Sequence, residues 1–187
     1  EAGDRLIVTD NSTLAPVDTF TVVRYTWFNE EYQEITADKP IGEPANLNFG
    51  LENLTWNAGL TFINSTVEKN RARGILFSTR GRVWVEGNTF SNMMAGISIS
   101  GDNNYWFESG PCDSVIIRKN HFINCTSGGK GNSVIMIAPV ILHPERSDHF
   151  YNRSITIDSN VIESFNTSVL FALSVEHLIF SNNTIIH

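Results

Sequence analysis

Cysteine is scarce: Cys112 and Cys125 are the only two in 187 residues. That excludes a disulfide-dense scaffold, and the two lack the spacing and partners of a zinc finger. Whether they pair with each other depends on the fold. Long apolar runs are missing as well. The longest, "VIMIAPVIL" from Val134 to Leu142, carries a proline and falls far short of the roughly 20 residues that span a bilayer. Positive charge is in deficit, with 13 Lys plus Arg against 20 Asp plus Glu and a formal net charge of −7. Such a balance argues against nucleic acid or an anionic membrane as the main partner. There is no P-loop, dinucleotide fingerprint or G-x-S-x-G turn. The long helical periodicity that an α/β fold needs is absent too. The chain opens without Met or a charged-then-apolar leader and stops at "SNNTIIH", inside a strand-like stretch. It reads as a processed chain or a piece of a longer one.

What is present suffices for a packed core, since 41% of residues are hydrophobic and only 18% charged. Seven N-x-S/T sequons, at Asn11, Asn53, Asn64, Asn124, Asn152, Asn166 and Asn182, admit two readings. One is glycosylation of a secreted eukaryotic protein; the other is the ordinary Asn and Thr chemistry of β-turns.

The strongest signal is an internal repeat. An apolar strand, a small or polar pair, an Asn and then x-apolar recur in "VWVEGNTF", "VIIRKNHF", "ITIDSNVI" and "LIFSNNTI", with a weaker copy in "LTFINSTV". The marker positions Ser65, Asn88, Asn120, Asn160 and Asn183 stand 23, 32, 40 and 23 residues apart. The base period is therefore 23, with insertions of 9 and 17 residues in the middle units. A second strand follows the first four markers: "GILFS", "GISIS", "VIMIA" and "VLFAL". Units of this length, built from short strands, predict an all-β parallel β-helix with one turn per unit. Alternation puts Val83, Val85, Ile117, Ile155 and Ile157 inward and Trp84, Arg118 and Asp158 outward. The repeated Asn are expected at a bend, taking left-handed φ, and stacked so that side chain pairs with side chain. Residues 1–48 do not follow the repeat. "LIVTD", "FTVVRYTWF" and "YQEITADKP" read as strands of a small antiparallel β-barrel or sandwich, ending in the Pro/Gly loop "KPIGEPAN"; the β-helix takes residues 49–187.

Insertions in such a repeat map to one face, often the binding face. The first follows the second strand of the Asn88 unit and contains "GDNNYWFESG". The second lies mainly after the next unit's second strand, as "HPERSDHFYNRS", with a few residues in the Gly-rich "CTSGGKGNS". Neighbouring turns stack about 4.8 Å apart, so the two large loops stand side by side. Their edge collects Arg80 and Arg82, then Asp102, Asn103, Asn104, Tyr105, Trp106 and Glu108, then His143, Glu145, Arg146, Asp148 and His149. Carboxylates, amides and guanidinium groups fix sugar hydroxyls, and a ring stacks on the apolar face of a sugar. Two carboxylates held apart across a groove can cleave a glycosidic bond. "GGKGN" is a weak ligand-loop signal, and "HPERSDH" reads as a solvated turn more than a metal site.

"ENLTWNAGLTF", "NRARGILFSTRGRVWVEGNTF" and "GDNNYWFESG...DSVIIRKNHFINC" together resemble glycoside hydrolase family 110, the α-1,3-galactosidases. The resemblance is continuous from about Glu52 to Cys125, and the register persists through "YNRSITIDSN". It implies a right-handed β-helix with small β-barrel domains appended. It also implies exo-acting removal of terminal α-1,3-linked galactose from a galactose-terminated oligosaccharide, with anomeric inversion by two carboxyl groups and no metal or cofactor. The location expected for such a protein is secreted, periplasmic or cell-surface. Carried over by position, Asp102 is the first catalytic carboxyl, as general acid, or else a cap on the turn after Gly101. Glu108 is the second, as base or sugar ligand, or else a brace for the loop. Arg73, Arg80, Asn104 and Trp106 are expected at the sugar, the two Arg having a salt bridge, for instance to Asp102, as their other reading. Where the resemblance leads one to expect an acid near a proline, this chain has Val140, with Glu145 or Asp148 as substitutes from the following loop. A non-catalytic carbohydrate-binding domain and a structural solenoid remain as alternatives to the enzyme.

Overall fold

The computed structural model describes residues 1–42, 48–108, 110–129 and 132–187. The stretches "KPIGEPAN" and "GGKGN" fall partly outside the described residues. Among those described, regular structure is strand throughout apart from one 3-10 turn, Pro144–Arg146. No helix is long and apolar enough to cross a membrane.

Apolar residues at period two build the first sheet. Leu6 and Val8 on β1 (Arg5–Asp10), Phe20 and Val22 on β2 (Pro16–Trp27), and Ile35 and Ala37 on β3 (Gln33–Ala37) pack as one small cluster. With β4 (Phe49–Asn53) these strands form an antiparallel sheet in the order β3-β2-β1-β4. Because β4 pairs with β1 from Leu6↔Asn53 to Asp10↔Phe49, this sheet continues five residues past position 48.

The chain then runs in circuits of three strands. The first is β5 (Leu60–Ile63), β6 (Thr66–Asn70) and β7 (Ile75–Phe77); the second is β8 (Val83–Glu86), β9 (Thr89–Asn92) and β10 (Ile97–Ile99). The third is β11 (Val115–Arg118), β12 (His121–Ile123) and β13 (Ser133–Ile137); the fourth is β14 (Asn152–Asp158), β15 (Val161–Glu163) and β16 (Ser168–Ala172). Strands β17 (Val175–Ser181) and β18 (Thr184–Ile186) begin a fifth. Each circuit adds one strand to each of three parallel sheets, ordered β16-β13-β10-β7, β17-β14-β11-β8-β5 and β18-β15-β12-β9-β6. Equivalent residues therefore stack in rows: Leu60, Val83, Val115, Ile155 and Leu178 form one, and Ile75, Ile97, Ile135 and Leu170 another. The interior members are fully buried, each stabilising the fold by about 1.5–3 kcal/mol. At one corner the rings of Phe90 and Phe122 stack 5.2 Å apart. Trp84, Arg118 and Asp158 lie on the outer face, as the alternation requires.

The marker asparagines form a continuous ladder. Asn88, Asn120 and Asn160 each donate Nδ2–H to the Oδ1 of the next marker along the chain, at 3.0, 3.0 and 2.8 Å. The same Nδ2 donates to a carbonyl of the circuit before, Phe62, Val85 and Ile117 respectively. Each Oδ1 also accepts the preceding marker's backbone N–H, from Ser65 through Asn160. One point departs from expectation. The left-handed backbone belongs to the residue before each marker, namely Asn64, Gly87, Lys119, Ser159 and Asn182. The markers themselves supply amides, which explains why Ser65 at the ladder's end needs no carboxamide of its own.

Cys112 and Cys125 are free and buried, on different corners of the third circuit. Burial pushes the Cys112 thiol up to about 11 and raises that of Cys125.

Asn120→Ala removes the acceptor of the Asn88 backbone and side-chain N–H groups and the side-chain donor to the Val85 carbonyl and Asn160 Oδ1. It is expected to lower unfolding stability by about 2–4 kcal/mol, read as an earlier urea midpoint at unchanged slope. Neither thiol of the folded protein is expected to react with an aromatic disulfide reagent near pH 8, and both should react once unfolded. Prompt labelling of the native state would contradict their burial.

Candidate active site

Three elements meet at the corner that follows β7, β10 and β13. The loop 100–114 leaves β10 and the loop 138–151 leaves β13, and they lie side by side: Val140 N–H donates to the Gly101 carbonyl at 2.7 Å. The antiparallel sheet closes the third side. Asn103 Nδ2 donates to Thr9 Oγ1 at 2.6 Å, Asn104 Nδ2 to the Asn11 carbonyl at 2.8 Å, and His143 N–H to the Ser12 carbonyl at 2.9 Å. Between them is a cleft of about 320 Å³ whose polar lining includes Glu52, Arg80, Asn103, Asp113, His149 and Tyr151.

Its centre is an ion pair. Glu52 on β4 is 6% exposed and grips Arg80 with both oxygens, at 2.8 Å to Nε and 3.0 Å to Nη2. Arg80 Nη1 remains, 3.6 Å from Asp113 Oδ2. Burial opposes the Arg80 charge, but Glu52 and Asp113 outweigh it and raise the guanidinium's pKa. Burial and then the Glu52 carboxylate push the Tyr151 hydroxyl upward as well. Tyr151 packs so close to Gly101 that a Cβ there would overlap its ring and hydroxyl.

The residues expected at the sugar divide. Arg80 lines the cleft, but its ion pair is with Glu52, not Asp102. Asp102 is 1% exposed and turned into its own loop, Oδ1 accepting N–H of Asn104 and Tyr105 at 2.7 and 3.1 Å, and Oδ2 that of Trp106 at 2.9 Å. Its backbone bridges Glu108, and the Glu108 carboxylate makes no hydrogen bond or ion pair among the described residues. Asn104 is engaged with Asn11. Trp106 is 71% exposed at the loop tip, edge-on to Tyr105 with centroids 4.9 Å apart. Arg73 is exposed in the turn between β6 and β7, a different corner of the circuit, and the structure does not bring it to Arg80. Glu145 turns to His143 at 3.2 Å, and its own N–H, then His143, hold its carboxyl below the usual range, the opposite of what a general acid needs. Asp148 is exposed and outside the lining. Arg82 lies over Trp84, 5.1 Å away, on the outer sheet face. That face carries a wider groove of about 830 Å³, yet Arg82 and Arg118 both cover the indole, and neither inserted loop reaches it. Among the described residues no three His, Cys, Asp or Glu side chains gather as a metal site.

Sequence reasoning missed Glu52, Asp113 and Tyr151. Register offered a signal for one: Val83 pairs with Val115, so Asp113 sits one circuit on from Gly81, beside Arg80.

No protein-family profile matches the chain. Curated relatives do. "Alpha-1,3-galactosidase B" of Akkermansia muciniphila is 36% identical over 99% of this chain, and the protein of the same name in Phocaeicola vulgatus is 40% identical over 81%. "Alpha-1,3-galactosidase A" of Bacteroides fragilis is 33% identical over 98%. The chain is thus similar to a part of proteins named α-1,3-galactosidase. It spans 24%, 27% and 31% of the length of these three relatives, so it corresponds to a part of each. The match to the first of them covers 99% of this chain, so it takes in both inserted loops, the antiparallel sheet and the cleft between them.

Gly101→Ala forces the Tyr151 ring out of place. A loss of about 1–3 kcal/mol in urea unfolding is expected, as for overpacked cores. Wild-type stability in this variant would mean that Tyr151 is not held by the close approach.

Proposed function

We propose that this protein removes terminal α-1,3-linked galactose from oligosaccharides, acting from the chain end with inversion at the anomeric carbon. The observation that carries the reading is the cleft itself: a guanidinium, two carboxylates, an amide and a tyrosine converge where both insertions meet the antiparallel sheet, in a stretch shared with α-1,3-galactosidases. The three parallel sheets, with every third strand in each, support a right-handed parallel β-helix as the scaffold, with the antiparallel sheet as part of a small barrel. A glycan substrate also supports a site of action outside the cytoplasm.

In such a reaction a carboxylate takes a proton from water as the water oxygen bonds to C1. The C1–O3 bond breaks with its electron pair on the aglycone oxygen, which takes a proton from a second carboxyl. Asp102 and Glu108 are the proposed pair; they stand on the loop beside the cleft, distinct from Glu52 and Asp113 that line it. Glu108 has a carboxylate free to serve, whereas Asp102 must release a loop N–H before an oxygen can face the glycosidic bond. Trp106 would then offer its exposed ring to the sugar beyond the cleaved bond.

A second reading, a carbohydrate-binding domain without turnover, is favoured by that same engagement of Asp102 and by Val140 beside Pro139.

The full-length protein incubated with Galα1,3Gal is expected to release β-galactose first, followed by NMR. Glu108→Gln should lower kcat by at least about 100-fold while leaving the fold intact, and Asp102→Asn should lower it at least as much while setting an NH2 against one of the loop N–H groups that Asp102 now accepts. Binding without release would select the carbohydrate-binding reading, and α-galactose as first product would refute inversion.

A further inference from the structure

Arg80 and Asp113 occupy the same corner of adjacent circuits, and both line the cleft. Glu52 takes two of the three guanidinium nitrogens, Nε and Nη2, in a forked pair. Such a fork fixes the plane of the group, so Nη1 is delivered in one direction only. That direction is toward Asp113, but 3.6 Å from Oδ2 is too long for a hydrogen bond. Asp113 is 42% exposed, and makes no other hydrogen bond or ion pair among the described residues. The cleft therefore presents one aimed donor and one under-used acceptor, separated by slightly more than a hydrogen bond. A hydroxyl group donates and accepts at once, so it satisfies both.

We propose that Arg80 Nη1 and the Asp113 carboxylate form a hydroxyl clamp for the terminal galactose, with Glu52 as the residue that positions Arg80. The proposal rests on the galactosidase reading and adds to it the part of the substrate that is recognised. Asp113 accepts from a hydroxyl of the terminal ring and Arg80 donates to the same or a neighbouring oxygen. Glu52 touches no substrate. It acts from β4 of the antiparallel sheet, so that sheet takes part in specificity as well as closing the cleft.

The test uses the full-length protein, with Galα1,3Gal and its monodeoxy analogues at the terminal galactose. Asp113→Ala is expected to raise KM about 10- to 100-fold, the scale of a hydrogen bond to a charged group, with kcat little changed. It should also erase the wild-type preference for the parent over one particular deoxy analogue, because the hydroxyl has lost its acceptor. Glu52→Gln should raise KM in the same direction and weaken the same preference. A merely structural role for Asp113 would leave that preference in place, and unchanged KM or an unchanged preference would overturn the clamp. Where wild type binds methyl α-galactoside by NMR titration without cleaving the disaccharide, Kd replaces KM and the criteria stand. A wild type that neither cleaves nor binds removes the galactosidase reading and the clamp together, whereas a normal wild type with an unaffected Asp113→Ala removes only the clamp.

Discussion

A buried carboxamide is tolerated when both of its ends are satisfied, and a stack of them satisfies itself. In the ladder from Ser65 to Asn183, each Oδ1 meets a neighbour's donors; the Nδ2 of Asn88, Asn120 and Asn160 divides its two hydrogens between a side chain and a main-chain carbonyl, and that of Asn183, at the end, donates to the Ile157 carbonyl. A slip of one residue in any circuit would strand these groups away from water and turn the inward Val and Ile rows outward. The ladder thus fixes where each circuit starts, and this start determines the remaining geometry. With it fixed, surplus residues can leave only at the corners. The two large surpluses leave at the same corner of consecutive circuits, and neighbouring loops then build a cleft without any long-range instruction in either sequence.

The repeat was legible because it imposes the same demand five times, and period-two alternation told inward Val85 from outward Trp84 without ambiguity. The left-handed residue was harder to read. A turn needing φ > 0 draws on Gly, Asn, Lys and Ser in turn at Gly87, Asn64, Lys119 and Ser159, so no single residue type marks it, whereas the adjacent ladder position is nearly invariant along the chain. Glu52 was illegible for a different reason. It belongs to the antiparallel sheet, outside the repeat, and its contact with Arg80 spans 28 residues and a change of sheet. Pairings of that kind carry no periodicity. Arg73 misled because "NRARG" and Arg80 are near in sequence, but β7 carries the chain from one corner to the next between them.

The Glu52–Arg80 pair is also the main electrostatic joint between the two sheet systems. Burying a charge pair is seldom a net stabiliser, since desolvation offsets much of the attraction. The larger effect is the penalty for separating the partners: the one left behind stays buried and unpaired, at a cost of about 3–5 kcal/mol. The joint therefore specifies one docking of the antiparallel sheet against the corner more than it strengthens it. The amide contacts of Asn103 and Asn104 to Thr9 and Asn11 reinforce the same docking. A cleft defined by such directional contacts holds its polar groups in place before any ligand arrives, which reduces the ordering that binding must impose.

The loop from Gly101 to Gly110 shows how one residue type can be claimed by two roles. A carboxylate that gathers three consecutive N–H groups is what a tight, aromatic loop needs to hold its shape, and Asp102 does this from a buried position. A general acid needs an oxygen that faces the substrate and a proton on it. The two demands conflict at a single carboxyl, unless ligand contacts at Trp106 and Tyr105 draw their N–H groups away. Those are the two residues at the exposed tip, so a sugar stacking there would act directly on the turn that occupies Asp102. Within this geometry, the acid is released by the binding it serves, or it is never an acid and the loop is a brace. Which of the two holds is decided by whether the aromatic tip and the Asp102 oxygens respond to the same ligand.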